Sequence, residues 1–151
     1  MSEPEQLPDG RWSLPLPDGR VATGDAQEPL KRMATAMRKS RDARDIFLAT
    51  WKVAVRTAGP AFFQVTTDTI DAATDKNQLR PDIQAIKDNA GVLSGGERRF
   101  LFALVSFYNR KVAQGLNHDY GESGNVGELV AQLDRDRLHL ITDLMLSYGG
   151  W

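Results

Sequence analysis

The stretch Leu93–Phe100, LSGGERRF, decides how this chain is read. Ser94 and Glu97 stand three apart, just ahead of an apolar run. That is the pattern of a capping box: the serine hydroxyl accepts from the main-chain N–H three residues on, and the glutamate reaches back to the serine N–H. Gly95 and Gly96 leave either an open first turn or room for another backbone. Outward from this start, Phe100, Leu101, Leu104, Val105, Phe107, Tyr108 and Val112 fall on one arc of a helix. The spacing predicts a central helix over 96–114, with Gly115 past its end. Lys111 interrupts the arc and has to snorkel. The opposite arc carries Arg98, Arg99, Ser106, Asn109 and Arg110, with Phe102 in its midst. Cover by a neighbouring helix or by the N-terminal arm accounts for Phe102. An aromatic ringed by arginines is also the composition of a binding hot spot.

The same letters resemble the signature loop of ABC-type ATPases. Such an enzyme needs a phosphate cradle of the form G-x-x-x-x-G-K-[ST]. None of the thirteen glycines is followed by lysine. The alternation of strands and helices that would carry the cradle is missing too. The cap therefore explains the letters, although a helix start flanked by Arg98 and Arg99 can also hold an anion.

The first residues read differently from the rest. LPDGR occurs at Leu7–Arg11 and again at Leu16–Arg20. Pro-Asp-Gly is turn chemistry, so an extended arm anchored by Trp12, or a short hairpin, is expected over 1–27. Pro15 should confine its strand to an edge. A helical domain over 28–151 follows. Leu30, Met33, Ala34 and Met37 begin a helical stripe. The polar run at 38–42 suggests a break or bend. Ile46, Phe47, Trp51, Ala54, Val55 and Ala58 resume the stripe until Gly59-Pro60. A helix from Pro60 to about Thr74, a polar loop over 75–80, and a short helix opened by Pro81 come next. Leu116–Gly124 reads as loop. Asn125-x-x-Glu128 reads as a capping box for a short helix through Leu133, and Asp134 caps a last one ending at Tyr148. Gly150 as the left-handed residue would let Trp151 pack on Leu146. The expected fold class is thus all-α: five or six helices in a globular domain, with an N-terminal arm or short β-hairpin.

Composition excludes more than it selects. Net charge is -1 over 151 residues, so no global field favours nucleic acid or anionic membranes. The absence of cysteine removes disulfides and thiolate chemistry. A reducing cytoplasm is the expected location. No secretory signal and no membrane span is read. Charge is uneven, however. Residues 28–56 carry eight basic and three acidic side chains, leaving +5, and residues 119–143 leave -4. The cluster Arg38, Lys39, Arg41 and Arg44 could meet an acidic partner or phosphates, but no aromatics interleave as in single-strand binders. Residues 126–148 could form a helix-turn-helix, but the outward charges of the last helix, Asp136 and Asp143, would repel phosphate. Asp136, His139 and Asp143 share a face, which a solvated ion pair explains better than a metal. His118 beside Asp119 has no nucleophile near it in sequence. No catalytic residue, metal ligand or cofactor site is assigned.

Leu93–Glu97, then Ser106-Phe107-Tyr108-Asn109, then Leu146–Trp151, resemble an uncharacterised family of bacterial proteins carried on plasmids and integrative elements. The resemblance implies a small accessory protein of mobile DNA. Many of these bind and block a host complex, defence complexes of the anti-CRISPR kind among them. The expectation is a non-enzymatic protein-binding accessory or inhibitor. Its partner would be a protein, met through Arg38, Lys39, Arg41, Arg44, Arg98, Arg99, Phe102 and Arg110. The alternatives are a helical module binding nucleic acid or phosphate, and a small enzyme using His118 or His139.

Overall fold

In the computed structural model, which describes residues 2–150, the protein is mostly α-helical, with a small antiparallel sheet at its N-terminus. The strands are β1 (Glu5–Gln6), β2 (Trp12–Pro15) and β3 (Val21–Gly24). Seven α-helices follow among the described residues: α1 (Gln27–Ala58), α2 (Thr67–Ala72), α3 (Ile83–Asn89), α4 (Gly95–Ser106), α5 (Arg110–Asp119), α6 (Val126–Gln132) and α7 (Arg135–Ser147). The chain forms two compact units. One comprises the chain up to Asp45 with the segment from Gly149, and the other is Ile46–Tyr148. The helix α1 runs unbroken from the first into the second. The break expected at its polar run does not occur, because arginine and lysine are good helix formers and a turn solvated all round costs little.

In the first unit the two LPDGR copies build the same turn. Leu7 N–H donates to Arg11 O (2.7 Å) and Gly10 N–H to Leu7 O (2.9 Å); Leu16 N–H donates to Arg20 O (2.7 Å) and Gly19 N–H to Leu16 O (3.0 Å). Gly10 and Gly19 take φ of 84° and 85°, which only glycine adopts freely. Each aspartate bonds the N–H and guanidinium of the arginine two residues on. The result is a three-stranded meander rather than a single hairpin. Pro15 lies in the middle strand, not an edge strand. Even so, β1 begins only at Glu5, opposite Ser13, so Pro15 interrupts no ladder on that side. Leu14 packs with Leu30 and Ala34, and Trp12, Leu16 and Ala22 pack around them.

The second unit holds the larger core. Phe47, Trp51, Ala54 and Val55 are the buried stripe of α1 there, whereas Ile46, expected in that stripe, is 56% exposed. The Trp51 indole N–H donates to Leu79 O at 3.1 Å. Rings of Phe47, Phe63 and Tyr108 stand 5.8, 6.1 and 5.2 Å from that of Trp51. Each such pair adds about 0.5–1.5 kcal/mol beyond burial.

Three expectations are corrected in this unit. The helix anticipated from Pro60 to about Thr74 is a 3₁₀ turn, a left-handed Gln64 and then α2. Its β-branched residues crowd a helix interior, and the Thr66 and Thr69 hydroxyls form a capping box instead. The helix anticipated over 96–114 is two helices. Asn109 adopts extended φ/ψ, and its side chain accepts from Val112 N–H at 3.1 Å, which starts α5. That division accounts for a seventh helix, and α5 runs through Gly115 to Asp119. The stretch 75–80, read as a polar loop, instead contains a 3₁₀ turn with Leu79 and Lys76 buried. The anticipated partner of Leu146, Trp151, lies outside the described residues. Gly150 does take a positive φ, 77°.

Lys76 shows how a buried charge is accommodated. Its Nζ lies 4.8, 5.6 and 5.8 Å from the ring centroids of Tyr108, Tyr148 and Phe47. Burial pushes the ammonium pKa below its usual value, while the negative ring faces favour the cation. The Tyr108 hydroxyl donates to Lys76 O. Burial also drives the Tyr108 phenol well above its free value of 10.0. As pH rises past that value, the unfolded chain releases this proton and the folded chain keeps it, so stability falls. Spectrophotometric titration should therefore show the Tyr108 phenol failing to ionise until the protein unfolds. The alkaline loss of unfolding free energy should shrink in Tyr108→Phe.

The LSGGE start has a backbone reason. A Cβ on Gly96 would stand 2.9 Å from Gln132 O. One on Gly115, inside α5, would meet nothing within 4 Å. Gly96→Ala should lower stability by about 1–3 kcal/mol despite its helix propensity. Gly115→Ala should raise stability by up to about 1 kcal/mol. Urea unfolding of the two variants checks both signs.

Candidate functional site

The second unit carries an ion cluster with a cleft beside it, both built on α4. Ser94 Oγ accepts from Glu97 N–H (3.3 Å), and Glu97 Oε2 accepts from Ser94 N–H (2.9 Å), which completes the capping box. These bonds hold the Glu97 carboxyl below the usual carboxylate range, with Arg137 contributing less. The box occupies the Ser94 and Glu97 amides, and it places a carboxylate at the helix start.

One turn later come Arg98 and Arg99. Arg98 donates from Nε (2.9 Å) and Nη2 (2.7 Å) to Glu122 Oε1, and from Nη1 to Leu93 O (3.1 Å). Its guanidinium lies 5.3 Å from the Tyr120 ring centre. Arg99 Nη2 meets the other oxygen of Glu122 at 2.6 Å. The Glu122 side chain is only 6% exposed, so two guanidiniums share one buried carboxylate. A second carboxylate, Glu128, stands 3.7 Å from Arg99 and is half exposed. Arg99 Nε is buried and has no hydrogen-bond partner among the described residues.

Beside this cluster α4, α6 and α7 enclose a cleft of about 340 Å³. Phe102, Leu129, Ile141 and Met145 are among its apolar walls, and Arg99 is among its few polar ones. Val126 and Met145 on its walls are 67% and 60% exposed. None of the side chains of α6 is buried.

The residues singled out from sequence fall in two places. Arg38, Lys39, Arg41 and Arg44 are exposed on the first unit's part of α1, where Arg41 donates to Pro17 O at 3.1 Å. Arg98 and Arg99 come together in the second unit, turned inward onto Glu122. Arg110 is exposed at the start of α5. Phe102 does not stand out as an aromatic anchor. It is 1% exposed, with the Tyr120 ring 5.5 Å away, because the continuation of α5 to Asp119 brings Tyr120 over it. His118 is 89% exposed beside Asp119, and neither histidine lines the cleft. Among the described residues no group of three His, Asp or Glu side chains is gathered as a metal would need. No helix among them is long and apolar enough to cross a membrane.

Sequence reasoning missed Glu122 as a partner of Arg98, because the pair is 24 residues apart in the chain. It also missed the cleft, whose only signal was the Val126, Leu129 and Val130 stripe on a short helix. Comparison with family models, curated proteins and solved structures returns no match.

Removing one member of a buried ion pair leaves the others uncompensated. Glu122→Gln should therefore cost about 3–5 kcal/mol in urea unfolding, whereas loss of the half-exposed partner in Glu128→Gln should cost under about 1 kcal/mol.

Proposed function

We propose that the protein is a non-enzymatic, cytoplasmic accessory or inhibitor protein that acts by capturing a protein partner, and that the cleft between α4, α6 and α7 receives it. The observation that carries this reading is the cleft itself. It has an apolar floor and walls, α6 beside it buries none of its own side chains, and Val126 and Met145 face outward. Concave apolar ground with a few polar groups is what an apolar partner segment fills. The likeness of Leu93–Glu97, Ser106–Asn109 and Leu146–Trp151 to mobile-element proteins supports an accessory role, with a host complex as the partner.

The basic face of α1 favours a second surface, with Arg38, Lys39, Arg41 and Arg44 exposed. The two surfaces separate in one experiment. Tagged wild type, a Met145→Glu/Val126→Asp variant, and a variant with the four α1 cations changed to glutamate are used for pull-down from the source cell, with identification by mass spectrometry. All substituted side chains are exposed, so thermal unfolding should shift little. The proposal expects one partner, retained by the wild type and the α1 variant and lost by the cleft variant. Retention by the cleft variant with loss by the α1 variant would move capture to α1. Recovery of nucleic acid, with affinity falling steeply as salt rises, would replace protein capture by phosphate binding.

A further inference from the structure

The first unit leaves one sheet edge open. In an antiparallel ladder, successive residues turn their N–H and C=O toward opposite neighbours. Leu16 N–H donates to Arg20 O, and the register sets Leu14 opposite Ala22 and Trp12 opposite Gly24. The even-numbered residues of β3 therefore bond to β2, and Val21 and Thr23 turn their N–H and C=O outward. Among the described residues no further strand lies on that side, and no turn or loop bond reaches those four groups. Both residues are exposed. Natural sheets blunt such edges with short strands, prolines or charges. The opposite edge is treated in that way: β1 has two residues, Pro4 precedes it, and Glu5 is exposed. The β3 edge is not. Its stretch Val21–Gly24 holds neither proline nor charge, and the β-branched Val21 and Thr23 suit a pleated surface.

We propose that β3 pairs with β3 of a second copy of this chain, antiparallel about a two-fold axis at Ala22. In that register Val21 lies opposite Thr23 of the second copy, and Thr23 opposite its Val21. Every outward N–H then meets an outward C=O, and the two strands close in four hydrogen bonds. A slip of two residues would set Val21 on Val21 or Thr23 on Thr23, and would push the other residue against Gly19 or Asp25, outside the strand. Self-pairing about a two-fold axis also requires that like charges do not meet. Arg20 and Asp25 fall opposite Gly24 and Gly19 of the second copy, so they do not. This match of the edge to itself argues for a second copy over an unrelated strand. So short a strand buries less than the roughly 1,200 Å² of a standard interface, so the dimer is weak and depends on concentration.

Amide hydrogen exchange of the full chain, read by NMR at rising protein concentration with sedimentation equilibrium alongside, tests the pairing. Ala22 N–H, bonded to β2, should be protected throughout. Val21 and Thr23 N–H should exchange freely when dilute and slow about tenfold once roughly nine-tenths is dimer, because only the monomer exchanges. Val21→Lys/Thr23→Lys and Val21→Glu/Thr23→Glu keep every main-chain donor and change only exposed side chains. Each variant alone sets like charges opposite one another and should stay monomeric where the wild type dimerises. Their equimolar mixture should dimerise again, with the same two amides protected. The wild-type exchange decides the matter even where a variant loses the Ala22 protection that reports an intact sheet. A monomer at every concentration, with Val21 and Thr23 exchange unchanged, would overturn the proposal. So would a dimer that leaves those amides unprotected, or one that survives in either charged variant. Protection that appears only on adding source-cell extract would replace the second copy by another protein's strand. The cleft is untouched by these outcomes, and the pull-down decides its reading separately.

Discussion

A contact without a side chain sets the position of α4. Gly96 lies so near the carbonyl of Gln132 that even a methyl group would stand 2.9 Å from it. The end of α6 can therefore rest on the first turn of α4. The capping box fixes that turn, and Glu97 serves it twice, accepting from Ser94 N–H and standing 3.7 Å from Arg137 at the start of α7. With the turn held, Arg98 and Arg99 are carried to Glu122, and Phe100, Leu101, Leu104 and Val105 are carried into the core. The letters that resemble a nucleotide-binding signature thus serve a capping box, a close approach of two backbones and one buried carboxylate.

Much of the fold was legible because local chemistry and burial agreed. The LPDGR turns, the caps at Ser94, Asn125 and Asp134, and the stripe Phe47, Trp51, Ala54 and Val55 all stand where their spacing puts them, although the box expected at Asn125 is only half made, since the Glu128 side chain faces Arg99. What was not legible depended on distant partners. Asn109 follows an apolar run and is tolerable inside a helix. The chain turns there because Phe107 and Tyr108 pack against Trp51, 6.3 and 5.2 Å between ring centres, and a local pattern cannot contain that contact. Phe102 was read on the polar side of a helix, and the ring that covers it comes from Tyr120. The four α1 cations were easy to see as a charge run. The cleft was not, because it is a place where three helices do not meet.

Lys76 and Glu122 show two solutions to burying a charge. Among the described residues no carboxylate is within salt-bridge reach of the lysine, and aromatic faces from Phe47, Tyr108 and Tyr148 surround its ammonium. The glutamate is met by two guanidiniums, one of which also faces Glu128. The first arrangement is closed on itself, because the ligand of the aromatic faces belongs to the same chain. The second leaves a donor over. That donor, Arg99 Nε, is enclosed within the cluster, and native proteins bury few such groups.

The weakest wall of the cleft also borders the most constrained contact. The helix α6 buries no side chain of its own. It is held by the Asn125 cap, by Glu128 opposite Arg99, and by Leu133 just past its end, which is 8% exposed. An element with so little burial opens locally at low cost. Its last residue, Gln132, is the one whose carbonyl faces Gly96. An occupant of the cleft that orders α6 therefore also tightens the start of α4, because both depend on the same approach of two backbones. Under the proposed capture, occupancy of the cleft and the stability of the arginine cluster would be coupled through that approach, and by linkage each would favour the other.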